Sequence, residues 1–392
     1  MGLTNWMKDN TLLTDRQTDR QTDRQTDRQT GRNYGIDALR ILSMLMVVTL
    51  HVLGHGGILD STKAYSVNYE IAWFIEILAL CAVNCYALIS GYVGVYAKFK
   101  FSNLILLWLR VVFYSVGIAI VMKLMIPDIP LNLKGFVTLL FPVMTGKYWY
   151  FTSYFLMYLF IPILNYALKS LSQNILKLSL LAIVFLTSVV APVANIFSDN
   201  IWWLGGGYST FWLIILYLIG GYIRRFGILE NVKNFWFCLA YLFFAFLTFG
   251  SRIVIQLVTT SLFGSIKYEN LWTSYISVTI LAEAVSLLLF FSRIQFKSIF
   301  RKIVVFVAPL AFSVYLIHEH PYIREQLIDN RFAWYANLNS ALMVLSIIGT
   351  AIAIFVLCIL IDCLREALFN VLKAKCKLSS FESIIKNRIR GD

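Results

Sequence analysis

IDALRILSMLMVVTLHVLGH, residues 36–55, is the stretch on which the fold turns. From Ile41 to Leu53 only Ser43, Thr49 and His51 interrupt an apolar run, and the whole segment has the length of a bilayer-crossing helix. Working outward, runs of the same kind recur near 69–92, 103–126, 148–168, 175–197, 207–223, 234–258, 271–292, 303–319 and 340–364. The reading is an all-α polytopic membrane protein of ten transmembrane helices. Residues 132–146 form a partly buried loop or a short interfacial helix. Composition agrees: of 392 residues 59% are apolar and 14% charged, against about 25% charged in a soluble chain. This excludes a soluble enzyme, a disordered chain and a nucleic-acid-binding domain.

The net charge of +13 reports topology instead of a nucleic-acid partner. With the N-terminus inside, 24 of the 34 Lys and Arg fall on inside segments and seven outside, while Arg40, Arg110 and Arg252 lie within spans. The positive-inside rule then places both termini in the cytoplasm. No cleavable signal peptide is expected, because the first span follows a polar tail and lacks a small-residue cleavage site.

Residues 1–33 differ from the rest. Thr-Asp-Arg-Gln occurs four times from Thr14 to Gln29, with no apolar face at any period, so a disordered low-complexity tail is expected. Written with the codons ACA, GAC, AGA and CAG, this peptide would be a repeated ACAG unit; a peptide repeat with unrelated codons is the alternative. Slippage of such a tract would shift the frame and make expression phase-variable. The transmembrane domain is expected over 34–366 and a basic cytoplasmic tail over 367–392. The six cysteines suggest neither a disulfide framework nor a zinc site.

A polar side chain deep in a span is a functional candidate. Arg40 and His51 are eleven residues apart, about three helical turns plus roughly 20°, so they share one face about 16 Å apart. An imidazole can take a hydroxyl proton near neutral pH, and a guanidinium can bind phosphate or a carbonyl oxygen. Plainer alternatives stay open: Arg40 snorkelling and paired with Asp37, and His51 as a helix-packing histidine. Glu76, Asn84, Arg252 and Glu283 are further intramembrane polar groups. Glu76 and Asn84 are candidate cavity-lining residues or interhelical hydrogen-bonding groups. Arg252 reads as a boundary residue, and Glu283 as an acidic partner for Arg110 or Arg40. His55 flanks the outer mouth. His318-Glu319-His320 closes a span, but two histidines at i,i+2 do not share a helix face, so no metal site is expected. Trp149 and Tyr150 are cavity-lining candidates or interface-belt aromatics. Trp202-Trp203 and Gly205-Gly206-Gly207 mark an outer loop able to meet a sugar or anchor at the interface.

Asp37-Ala38-Leu39-Arg40, ten residues, then His51 resembles the Arg-x10-His signature of membrane acyltransferase family 3, integral-membrane O-acyltransferases acting on bacterial surface polysaccharide or lipopolysaccharide. Leu88-Ile89-Ser90-Gly91-Tyr92 is similar to the family's Ser-Gly-Phe/Tyr motif. Tyr148-Trp149-Tyr150-Phe151, Tyr158 and Ile161-Pro162 resemble its aromatic fourth span, and Ser313 to His318 a late-span pattern ending in His. The resemblance covers about 34–365. It departs at the family's Arg-x-x-Arg, where Leu107 stands in the first position and Arg110 in the second. Some members carry an extracytoplasmic hydrolase-like domain, which is not expected here.

The resemblance implies an O-acetyltransferase of the bacterial inner membrane. Acetyl-CoA would be a cytoplasmic co-substrate with no tightly bound cofactor. The acceptor would be a sugar hydroxyl of a surface glycan or its lipid-linked oligosaccharide precursor. His51 and Arg40 would be catalytic; Arg110, Ser90 and Tyr92 would bind the donor. Physically, ten spans with buried charges suit a glycan transporter or flippase equally, or, with larger outer loops, a polymerase.

Overall fold

The computed structural model describes residues 32–129, 132–197 and 200–372. The repeat tail up to residue 31 and the basic tail from 373 lie outside the described residues. Among the described residues the chain is helical, with no strand. The principal helices are α1 Tyr34–Leu53, α2 Val67–Leu80, α3 Ala82–Gly94, α4 Phe101–Met125, α5 Trp149–Ser170, α6 Gln173–Phe185, α7 Thr210–Phe226, α8 Asn234–Phe263, α9 Val278–Ser292, α10 Ser298–Val307, α11 Ala311–His318 and α12 Ser340–Val371.

Starts are set by side-chain caps. Asn33, Ser66, Ser172, Ser209 and Asn339 each accept from a backbone N–H at the head of a helix, satisfying a donor that the first turn leaves unpaired. Gly227 and Gly264 end α7 and α8 with positive φ, the left-handed exit that glycine adopts cheaply.

Among the described residues, seven helices are long and apolar enough to cross a membrane, or up to nine if each bent pair counts as one span. Ten is therefore not reached on length and composition. The expected 303–319 span is broken where α10 meets α11 at 42°, and ahead of the expected 207–223 span the segment Ile201–Gly207, read as an outer loop, meets α7 at 73°. The expected 271–292 span shortens to α9, since residues 271–277 run as turns ahead of it. The 132–146 stretch, expected as a loop or a short interfacial helix, contains the helix Leu133–Leu140. The domain boundary expected at 366 falls inside α12, which continues to Val371.

α1 is the central element, packed against α2, α3, α9, α10, α11 and α12. The most extensive helix pair is α3 with α7, and glycines permit it. A Cβ on Gly91 would stand 1.9 Å from the Tyr217 carbonyl oxygen, and one on Gly220 would stand 2.0 Å from that of Leu88. The outer faces carry exposed Phe, Leu, Ile and Val, as on Phe243, Phe246 and Leu257 of α8; such a surface is solvated by lipid. One buried charge pair lies in α12: Arg365 grips Asp362 through two nitrogens at 2.6 and 2.8 Å, and Tyr114 donates to the same carboxylate.

Candidate active site

A cavity of about 490 Å³ lies beside α1, lined by Met44, Val47, Leu50, His51, Gly54 and His55 from that helix and its end. Helical periodicity brings these residues to one stripe. Tyr86 and Tyr150 line the cavity too, with Tyr315 beside them. Trp149, Tyr208 and Tyr275 make an aromatic wall: Trp149 stacks on Tyr275 at 6.1 Å and 18°, and its ring lies 4.4 Å from Tyr208. Glu76, Asn270, Thr273, Glu319 and Arg324 supply the polar lining.

His51 sits in a defined hydrogen-bond chain. His318 Nδ1 lies 2.6 Å from the Val314 carbonyl oxygen, which only accepts, so Nδ1 of His318 carries the proton and its Nε2 a lone pair. His51 Nδ1 lies 2.8 Å from that Nε2 and therefore donates. This leaves Nε2 of His51 as a free base on a ring that lines the cavity. Glu319 Oε2 is 3.2 Å from His51 Nδ1 but makes no hydrogen bond, because the Nδ1 proton is directed at His318. The other oxygen, Oε1, accepts from Arg324 at 2.7 Å. Burial alone would lower the Arg324 pKa, but Glu319, Asp329 and Glu325 together outweigh it and hold the pKa above the ordinary value. Glu319, paired with Arg324, thus presents its second oxygen to an imidazole. When that imidazole gains a proton on Nε2, the carboxylate stabilises the cation.

Residues 33–363 match the family described as an acyltransferase domain. The chain belongs to membrane acyltransferase family 3. It is therefore a multi-pass membrane acyltransferase. No curated protein and no solved structure matches it.

The expected site residues of this acyltransferase divide. His51, Glu76 and Trp149 line the cavity, with Glu76 Oε2 buried and unpartnered. Arg40 does not line it. Its guanidinium pairs with Asp37 at 2.5 Å, and Arg32 binds the other oxygen of that carboxylate at 2.6 Å, the plainer of the two readings. Between Arg40 and the cavity stands Tyr86, which lines the hollow and donates to the Arg40 carbonyl at 2.9 Å. Asn84 is a strut: it donates to the Tyr275 carbonyl at 2.8 Å and accepts from Trp212 Nε1 at 2.9 Å. Ser90 turns back to the Tyr86 carbonyl, and Tyr92 meets Arg224. Arg110 donates to the Pro309 carbonyl at 3.2 Å, beside the bend between α10 and α11. Glu283 is buried against Thr248 and pairs with neither Arg40 nor Arg110. Arg252 is no boundary residue: it is buried, hydrogen-bonded to Tyr69 at 2.7 Å, with Trp73 3.8 Å from its guanidinium carbon.

Sequence reading missed His318, Glu319 and Arg324 as partners of His51, and Tyr86, Tyr208 and Tyr275 as cavity residues. The adjacency of His318 and Glu319 at a span end was the available signal. What it lacked was the α1–α11 contact that brings them to His51.

Proposed function

We propose that this chain transfers an acetyl group from acetyl-CoA to a sugar hydroxyl of a cell-surface glycan or its lipid-linked precursor. One observation carries the reading: His51, in a cavity with an aromatic wall, directs its Nδ1 proton to His318 and so keeps an unprotonated Nε2. That nitrogen would take the hydroxyl proton as the oxygen attacks the thioester carbonyl. The C–S bond breaks as the tetrahedral intermediate collapses. The proton then passes from Nε2 to the departing sulfur, giving the ester and free CoA thiol. Glu319 stabilises the intervening imidazolium, and His318 holds the ring in its working tautomer. Trp149, Tyr208 and Tyr275 suit a sugar ring, whose apolar face packs on aromatic surfaces, and the unpartnered carboxyl of Glu76 suits its hydroxyls.

In this reading the Arg40 end of α1 faces the cytoplasm, as the charge distribution expects, and the His51 cavity faces outward in the bacterial inner membrane. Around the Arg40 end gather Arg32, which pairs with Asp37 alongside Arg40, and Arg301, over the Tyr34 ring at 5.5 Å. Such a basic rim suits the phosphates of CoA. The thioester must then pass Tyr86 to reach His51.

The test is a mass comparison of surface glycan from cells with and without the gene. Acetyl transfer predicts one acetyl mass per modified unit, present only with the gene. Unchanged acetylation with altered chain length or lost export would instead mean a polymerase or a flippase.

A further inference from the structure

We propose that the His51 end of the cavity is also a site for a divalent transition metal of the zinc class, bound by His51 Nδ1, His318 Nε2 and Glu319 Oε2, and that occupancy arrests the acyl transfer proposed above. Metal binding itself does not depend on that function; only the arrest does. The three ligand atoms lie within 4.8 Å of one another. Two of the separations are 2.8 and 3.2 Å, close to the roughly 3.4 Å between neighbouring ligands of a tetrahedral zinc. The remaining side, no longer than 4.8 Å, closes through rotation of the Glu319 side chain. Two imidazoles and one carboxylate are the donors that zinc-class ions prefer.

Independent features orient two of the ligands. Val314 accepts the Nδ1 proton of His318, so the lone pair on Nε2 points away from its own helix toward His51. Arg324 occupies Glu319 Oε1 and leaves Oε2, buried and without a hydrogen bond, facing the imidazoles. A ligating histidine held by a backbone carbonyl and a ligating carboxylate held by a cation are the outer-shell contacts that tune metal sites. His55 follows His51 by one turn, with Nε2 3.6 Å from Glu319 Oε2 and a side chain 39% exposed. It lines the same cavity beside the three ligands.

The arrest follows from proton placement. A metal on Nδ1 of a neutral His51 requires the ring proton to sit on Nε2, the atom that must accept the hydroxyl proton. The metal also displaces the His51–His318 hydrogen bond and draws off the Glu319 charge that stabilises the imidazolium.

The test is cobalt(II) titration of the full chain purified in detergent. The expected result is one cobalt per chain, with the visible absorption of four-coordinate Co(II), displaced by zinc and removed by a chelator. His318→Ala should abolish the band. Glu319→Gln, nearly isosteric, should weaken binding at least tenfold while a thermal melt shows the protein folded. No band in the wild-type protein, or a band that persists in His318→Ala, overturns the metal site. Absent metal binding beside intact glycan acetylation would overturn this inference alone; metal binding without acetyl transfer would overturn the arrest and the function beneath it, leaving the site.

Discussion

Glu319→Gln isolates the electrostatics of the proposed base. The substitution keeps size and removes one charge 3.2 Å from His51 Nδ1. At an effective dielectric of about 20, an imidazolium and a carboxylate at that distance attract by about 5 kcal/mol. Arg324, 2.7 Å from the other carboxylate oxygen, offsets part of this, leaving roughly 4 kcal/mol of stabilisation that exists only once the proton has moved to His51. A loss of that size lowers kcat by about three orders of magnitude. Because the carboxylate acts on the developing cation, KM for the sugar acceptor should stay nearly constant. The assay is transfer of labelled acetyl from acetyl-CoA to glycan in membranes, with variant protein matched to wild type by quantitative blotting. A fall in kcat below tenfold, or a rise in KM alone, would refute the assignment of Glu319 to the imidazolium.

Other perturbations follow from the same geometry. His318→Ala removes the acceptor that fixes the His51 tautomer and should lower kcat by about tenfold to a hundredfold, with the protein still inserted in the membrane; unaltered turnover would show that the tautomer is set elsewhere. Gly91→Ala drives a methyl into the Tyr217 carbonyl and should cost about 1–3 kcal/mol of stability, read as a lower melting temperature in detergent; an unchanged melt would mean α3 and α7 separate at no cost. His320 is buried, with Nε2 donating to the Ser115 carbonyl and Nδ1 accepting from Tyr322 N–H. Burial pushes its pKa down from 6.5 to about 4. The unfolded chain binds the extra proton first, so stability present above pH 6.5 is lost as pH falls toward 4, by up to about 3 kcal/mol. His320→Gln should flatten melting temperature against pH across that window, and an identical slope in the variant would discount His320 as its source.

Much of this was legible in the sequence because helices in lipid obey local rules. Run length set the elements, and the 3.6 period turned His51 onto the stripe of α1 that lines the cavity. Arg40 does not line the hollow; Tyr86 from α3 does, and it donates to the Arg40 carbonyl. Nothing in the spacing of α1 can show that. Glu283 looked like the acid for an arginine, since a lone carboxylate in a span demands a partner; Thr248 supplies a neutral one, and Asp37, three residues from Arg40, supplies the charge. The true acidic neighbour of His51 is Glu319, 268 positions along the chain, and only the packing of α11 against α1 brings it there. The break between α10 and α11 was hidden because an apolar run reads the same bent or straight. Ser-Gly-Tyr at 90–92 is legible as a motif, yet its glycine is explained by helix contact with Tyr217.

The most direct test of the central claim is the acetyl content of surface glycan from cells carrying His51→Ala beside cells carrying the wild-type protein at equal membrane abundance. If Nε2 of His51 takes the sugar proton, the acetyl mass disappears from the variant's glycan while chain length and export stay normal. Glycan from the variant that is acetylated to the wild-type level would remove His51 from the chemistry and the proposed mechanism with it.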